Sequence, residues 1–124
     1  MKDGKHVILY IDDDQDCLDA VRMILEANGY EMVEARSAEE GLRVYKTSKP
    51  DFLIVDLMME EVDAGTSFVR ELQILGNKAP IYMLSSVGDD LSISTDSAEL
   101  GLSGVFQKPL EPDTLLTILK VKLK

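Results

Sequence analysis

The chain predicts a single α/β domain: a five-stranded parallel sheet, doubly wound as (βα)5, in the flavodoxin-like order 2-1-3-4-5. Three observations carry that expectation. Five short apolar runs recur along the 124 residues, each followed by a segment with helical features. The best of these runs are continuously apolar, as strands covered on both faces must be. Repeated strand–helix alternation with right-handed crossovers leaves few topologies, and this order is the leading one.

Taken in order, Val7-Ile8-Leu9-Tyr10-Ile11 is the first strand and runs straight into Asp12-Asp13-Asp14. From about Asp16 the spacing turns helical, with Leu18, Val21 and Leu25 on one stripe, and Asn28-Gly29 supplies a left-handed stop. Residues 30–35 alternate like a strand nearer an edge. Ser37-Ala38-Glu39-Glu40 has the spacing of a capping box, in which Ser37 caps the Glu40 amide while Glu40 reaches back, and this helix should end before Pro50. Phe52-Leu53-Ile54-Val55 is the third strand and delivers Asp56 at its end. Phe68, Leu72 and Leu75 make the next stripe, stopped by Gly76-Asn77. Ile81-Tyr82-Met83-Leu84 leads to Ser85-Ser86. Residues 89–100 are weakly helical, because Ser92, Ser94, Thr95 and Ser97 are mediocre helix formers. Val105-Phe106 is a short fifth strand before Lys108-Pro109. Pro112 suits a first helical turn, and Leu115, Leu116, Ile118 and Leu119 give that helix its buried side.

Composition narrows the function classes. A hydrophobic share of 45% with 29% charged residues is that of a globular domain, and no second composition regime appears, so residues 1–124 read as one domain with its core from about residue 5. The net charge of −10 disfavours direct binding to nucleic acid or anionic membrane. The single cysteine, Cys17, cannot form an internal disulfide and reads as a small packing residue of a helix. No stretch has the apolar length of a membrane span and residues 1–6 lack a signal-peptide core, so the expected compartment is the cytoplasm.

In a doubly wound sheet ligands sit outside the carboxyl ends of the strands, near the switch in strand order. The residues expected there are Asp12, Asp13, Asp56, Ser85 and Lys108. Three carboxylates in one small mouth require compensation, and a divalent cation together with the Lys108 ammonium would supply it. Magnesium takes oxygen ligands, keeps several waters and commonly uses one or two carboxylates. Asp56 would then be placed as a nucleophile toward phosphorus, with Ser85 near a phosphoryl oxygen. Asp14 and Asp16 are accounted for by helix capping and first-turn charge, His6 as a polar residue flanking the first strand, and Met58-Met59, Tyr45 and Tyr82 by packing.

The stretches Ile8-Leu9-Tyr10-Ile11-Asp12-Asp13-Asp14, Asp51-Phe52-Leu53-Ile54-Val55-Asp56-Leu57-Met58-Met59, Ile81-Tyr82-Met83-Leu84-Ser85 and Lys108-Pro109 together resemble the receiver domain of two-component response regulators. The resemblance runs from about Lys5 to the end of the chain. It implies that Asp56 is the phosphoacceptor and that Asp12 and Asp13 hold Mg2+ (or Mn2+), Asp13 directly and Asp12 mainly through water. It also implies that the Met58 backbone carbonyl is a further ligand, and that Ser85 and Lys108 attend the phosphoryl group. The implied partners are a sensor histidine kinase or phosphotransfer protein on the input side. Output would pass to another protein or to a domain absent from these 124 residues.

The chain departs from the family pattern in three places. Glu60, Glu61 and Asp63-Ala64-Gly65 replace a proline and an Asp-Gly pair in a loop one residue longer than usual; Ser86 replaces a small apolar residue; and Val105 stands three residues before Lys108, where an aromatic is common. Phe106 should face the other side of its strand, so the response to phosphorylation is expected to pass through residues 89–100 instead. Two rival classes fare worse. An aspartyl phosphohydrolase usually needs an acid two residues after its nucleophile, where Met58 stands, and a nucleotide or flavin binder needs a glycine-rich loop after the first strand.

Overall fold

Val7–Ile11 contains no charged residue and all five of its side chains are buried, as are those of Phe52–Asp56, so these two strands can only be interior to a covered sheet. The computed structural model describes residues 5–56, 64–85, 104–107 and 111–123. Within them β1 (Val7–Ile11), β2 (Glu31–Ala35), β3 (Phe52–Asp56), β4 (Ile81–Ser85) and β5 (Gly104–Gln107) form one parallel sheet, whose hydrogen-bonded neighbours run β2-β1-β3-β4-β5. Helices α1 (Gln15–Ala27), α2 (Ala38–Ser48) and α3 (Ala64–Ile74) and a C-terminal helix (Pro112–Lys122) connect and cover the strands. The weakly helical stretch expected at 89–100 lies outside the described residues.

The period-2 alternation of the strands sorts the core into two layers. Ile8, Tyr10, Phe52, Ile54, Tyr82, Leu84 and Phe106 face α1 and the C-terminal helix, meeting Leu18, Val21, Leu25, Leu115 and Leu119. Leu9, Ile11, Leu53, Val55, Ile81 and Met83 face the opposite way, toward Phe68, Val69 and Leu72 of α3 and the half-buried Leu42 and Tyr45 of α2. Helices on both faces make the sheet doubly wound. On the first layer Phe52, Tyr82 and Phe106 stack ring on ring across three strands, with centroids 5.1 and 4.8 Å apart. On the second, α2 lies so close that a Cβ on Gly41 would stand 2.7 Å from Ile11 Cδ1.

Local chemistry sets the helix ends. Asp14 caps α1, its carboxylate accepting from the Asp16 N–H, and the helix stops where Gly29 takes a φ of 84°. Ser37 caps α2 through the Glu40 N–H at 3.1 Å. The return arm of the expected capping box differs by one residue: Glu40 Oε1 accepts from the Arg36 N–H at 2.7 Å, so the glutamate secures the residue before the cap. Lys49, at φ 48°, ends α2 just ahead of Pro50. Among the described residues no helix is long and apolar enough to cross a membrane.

Candidate functional site

The register brings the acidic residues together. β1 and β3 are neighbours with Ile11 opposite Val55, so the next step along each strand sets Asp12 level with Asp56. This is the point where the chain, having placed β2 on one side of β1, places β3 on the other, and the two crossovers leave a crevice at the carboxyl ends. Asp12 and Asp56 are the buried charged residues of the described core, at 0% and 1% exposure. Asp13 is exposed, and one carboxylate oxygen from each of the three can be chosen so that all lie within 4.8 Å of one another. Burying acids this way is costly unless they are compensated, so the cluster requires a chemical reason.

The site's framework is built from donors. The Asp12 N–H donates to the Ala35 carbonyl at 3.1 Å, extending the ladder to β2 one residue past the strand. Arg36 Nη2 donates to the Asp13 carbonyl at 3.2 Å. The Asp14 N–H donates to Asp12 Oδ1 at 2.9 Å, and the Tyr10 O–H donates to Asp12 Oδ2 at 2.6 Å. Burial, the hydrogen bond to Asp12 and the surrounding negative charges, in that order, push the Tyr10 phenol well above the usual tyrosine range, so it remains a donor.

Asp12, Asp13 and Asp56 are thus brought together. Ser85 closes β4, whose preceding residue Leu84 pairs with Asp56, and Ser85 itself pairs with Gln107, the residue before Lys108. Lys108 and Met58 lie outside the described residues, as do the side chains of Ser85 and Val105. Phe106 faces the layer of α1 and the C-terminal helix and is buried there. Tyr10 is the participant that sequence reasoning passed over as one more apolar strand residue. The signal was available, since residues two apart in an extended segment share a side.

Three oxygen donors, two buried and one open to water, suit a hard divalent cation that keeps part of its hydration shell. A parallel doubly wound sheet with its acids collected at the switch point places the chain among the flavodoxin-like domains that work at their carboxyl strand ends. Residues 8–120 match the response regulator receiver domain, and the chain belongs to that family. Transcriptional regulatory protein GlrR of Escherichia coli (strain K12) is 32% identical over 108 residues, covering 87% of this chain and 24% of that protein. Response regulator MprA of Mycobacterium ulcerans (strain Agy99) is 30% identical over 117 residues, covering 94% of this chain and 50% of that protein. The chain therefore spans about a quarter to a half of the length of these relatives. The crystal structure of the chemotaxis response regulator CheY4 of Vibrio cholerae matches with a TM-score of 0.85 at 28% identity, covering 97% of this chain and 100% of that one. The chain is a receiver domain of two-component signalling, in a family of signalling switches rather than conventional enzymes, whose members use Mg2+ at an acidic pocket.

Proposed function

We propose that this receiver takes a phosphoryl group onto Asp56 from a sensor histidine kinase or a phosphotransfer protein. A carboxylate oxygen of Asp56 attacks phosphorus, the bond from phosphorus to the donor histidine nitrogen breaks, and an acyl phosphate forms. Water later cleaves that acyl phosphate, releasing inorganic phosphate and restoring the carboxylate. Asp12, Asp13, Asp56 and the Met58 backbone carbonyl would hold Mg2+ (or Mn2+). When bound, the cation supplies positive charge against the oxygens of the transferring group. Ser85 and Lys108 attend the same oxygens, one as a hydrogen-bonding hydroxyl and the other as an ammonium. The acyl phosphate biases a two-state protein surface rather than turning over an outside substrate, so the self-phosphorylation and hydrolysis are the only chemistry. The chain acts as one receiver unit in the cytoplasm. Its output runs through another protein or a domain beyond this sequence, without direct contact to nucleic acid or membrane.

The observation that carries this reading is the burial of Asp56 at a strand end with the oxygens of Asp12 and Asp13 close by. The test is labelling by acetyl phosphate with MgCl2, read by mass spectrometry. One phosphoryl group should add to the wild type and none to Asp56→Asn; equal labelling of the variant would defeat the assignment. Beryllofluoride in Mg2+ should alter amide exchange in residues 87–102, with Val105→Ala leaving most of that change in place. Loss of the change in a folded Val105→Ala would return the switch to position 105.

A further inference from the structure

We infer that Tyr10 sets the cation affinity of the acidic site, by engaging Asp12 from the interior side and restraining how strongly that carboxylate can hold a divalent ion. The inference rests on the cation site proposed above. Tyr10 is 1% exposed and packed in the layer of α1 and the C-terminal helix, so its ring cannot swing away, and its hydroxyl is aimed at Asp12 Oδ2 at 2.6 Å. A phenol this close to a buried carboxylate forms a strong, charge-assisted bond. A hydrogen-bond donor and a cation draw on the same negative charge, so each weakens the other when both act on one carboxylate.

The opposing effect is orientation, since a held carboxylate loses less freedom on binding an ion. Here that benefit does not depend on Tyr10. The other oxygen, Oδ1, is already fixed by the Asp14 N–H at 2.9 Å, and the Asp12 backbone is pinned to Ala35 at 3.1 Å. Removing the hydroxyl therefore leaves Asp12 in place but richer in charge. The consequence has two signs. Without the hydroxyl the cation-free protein loses a buried hydrogen bond and becomes less stable, while the cation binds more tightly. A merely structural tyrosine would lower both.

Calorimetric titration of the whole chain with MgCl2, wild type against Tyr10→Phe, reads this directly. The variant should bind Mg2+ about three- to tenfold more tightly, the scale of a charge-assisted hydrogen bond weakened but not lost. Its melting temperature in chelator should be lower than that of the wild type. Unchanged or weaker binding by a folded Tyr10→Phe overturns the inference. If the variant fails to fold, the wild type carries the test: the Tyr10 hydroxyl proton resonance should move toward that of a weaker hydrogen bond as MgCl2 is added, and an unmoved resonance overturns the inference. The two readings fail separately. A wild type that binds no Mg2+ removes the cation site and this inference with it, whereas a wild type that binds and a variant that binds identically removes only the role of Tyr10.

Discussion

Two groups of acids on this molecule look alike in the sequence and differ in physics. At the carboxyl ends of β1 and β3, Asp12 and Asp56 are buried, and the partners that hold Asp12 include a phenol and an amide. On the outer edge by β2, Glu34 meets Arg22 Nη2 at 2.7 Å and Gln15 Nε2 at 3.1 Å, while Arg22 also donates to the Met32 carbonyl and to Glu26. Arg22 and Glu34 are about a third exposed, at 33% and 29%, and Glu26 is half exposed. The edge cluster is built to close on itself, with a guanidinium answering its carboxylates. The strand-end cluster instead sets two of its three carboxylates in the interior, where water screens them little, and leaves Asp13 open to solvent. Charge at the first place is surface chemistry, and charge at the second is where the proposed cation would bind.

The comparison breaks most visibly on adding Mg2+. At a concentration a hundredfold above its dissociation constant, the cation should stabilise the protein by about 2.7 kcal/mol, read as a rise in melting temperature over a chelated sample. Asp12→Asn or Asp56→Asn should remove most of that rise, and Glu34→Gln should leave it whole. An equal Mg2+ response in the two aspartate variants would erase the distinction between the clusters.

A smaller effect separates neighbours within the acidic run. Asp14→Ala should cost about 1 kcal/mol in denaturant titration, because it deletes the cap on the Asp16 N–H. Asp13→Asn should weaken Mg2+ binding more than Asp14→Asn does. If calorimetry finds Asp14 the more important ligand, the assignment of the acidic run is shifted by one residue.

The smallest effect belongs to the edge. Arg22→Ala should cost under about 1 kcal/mol and less in high salt, as a partly exposed ion pair does. Its pH signature has a definite sign. The hydrogen bond from Arg22, chiefly, holds the Glu34 carboxyl below the usual carboxylate range. The stabilisation is therefore present above about pH 4.5 and is lost as the pH falls through the lowered value. Urea titrations at pH 6 and pH 3 should show a smaller difference between wild type and Arg22→Ala at the lower pH; an unchanged difference would mean that the pair contributes through packing alone.

The fold was legible where local rules are strict. The apolar runs of β1 and β3, the Asn28-Gly29 stop, the Ser37 cap and the period-2 sorting of the core all follow from burial and backbone chemistry acting over a few residues. The acidic cluster was legible because one step beyond a buried strand is a costly place for an aspartate. What sequence alone missed depends on distance and direction. Whether Glu40 returns to Ser37 or to Arg36 is decided by the course of the chain before α2. The hydroxyl of Tyr10 counted as incidental to a ring in the core until Asp12 was seen 2.6 Å away. The stacking of Tyr82 between Phe52 and Phe106 likewise required the strand order to be laid out in space.

That stack has a bearing on which substitutions the chain can tolerate. A Cβ on Gly104 would stand 2.6 Å from Tyr82 Cε2, and the ring has a phenyl group on either side, so it has little room to retreat. Position 104 therefore resists any larger residue unless the Tyr82 ring is displaced or replaced by something smaller, whereas a smaller residue at 82 meets no such obstacle from Gly104. Among relatives that diverge from this chain, the two positions should vary together, a large ring at one accompanied by glycine at the other.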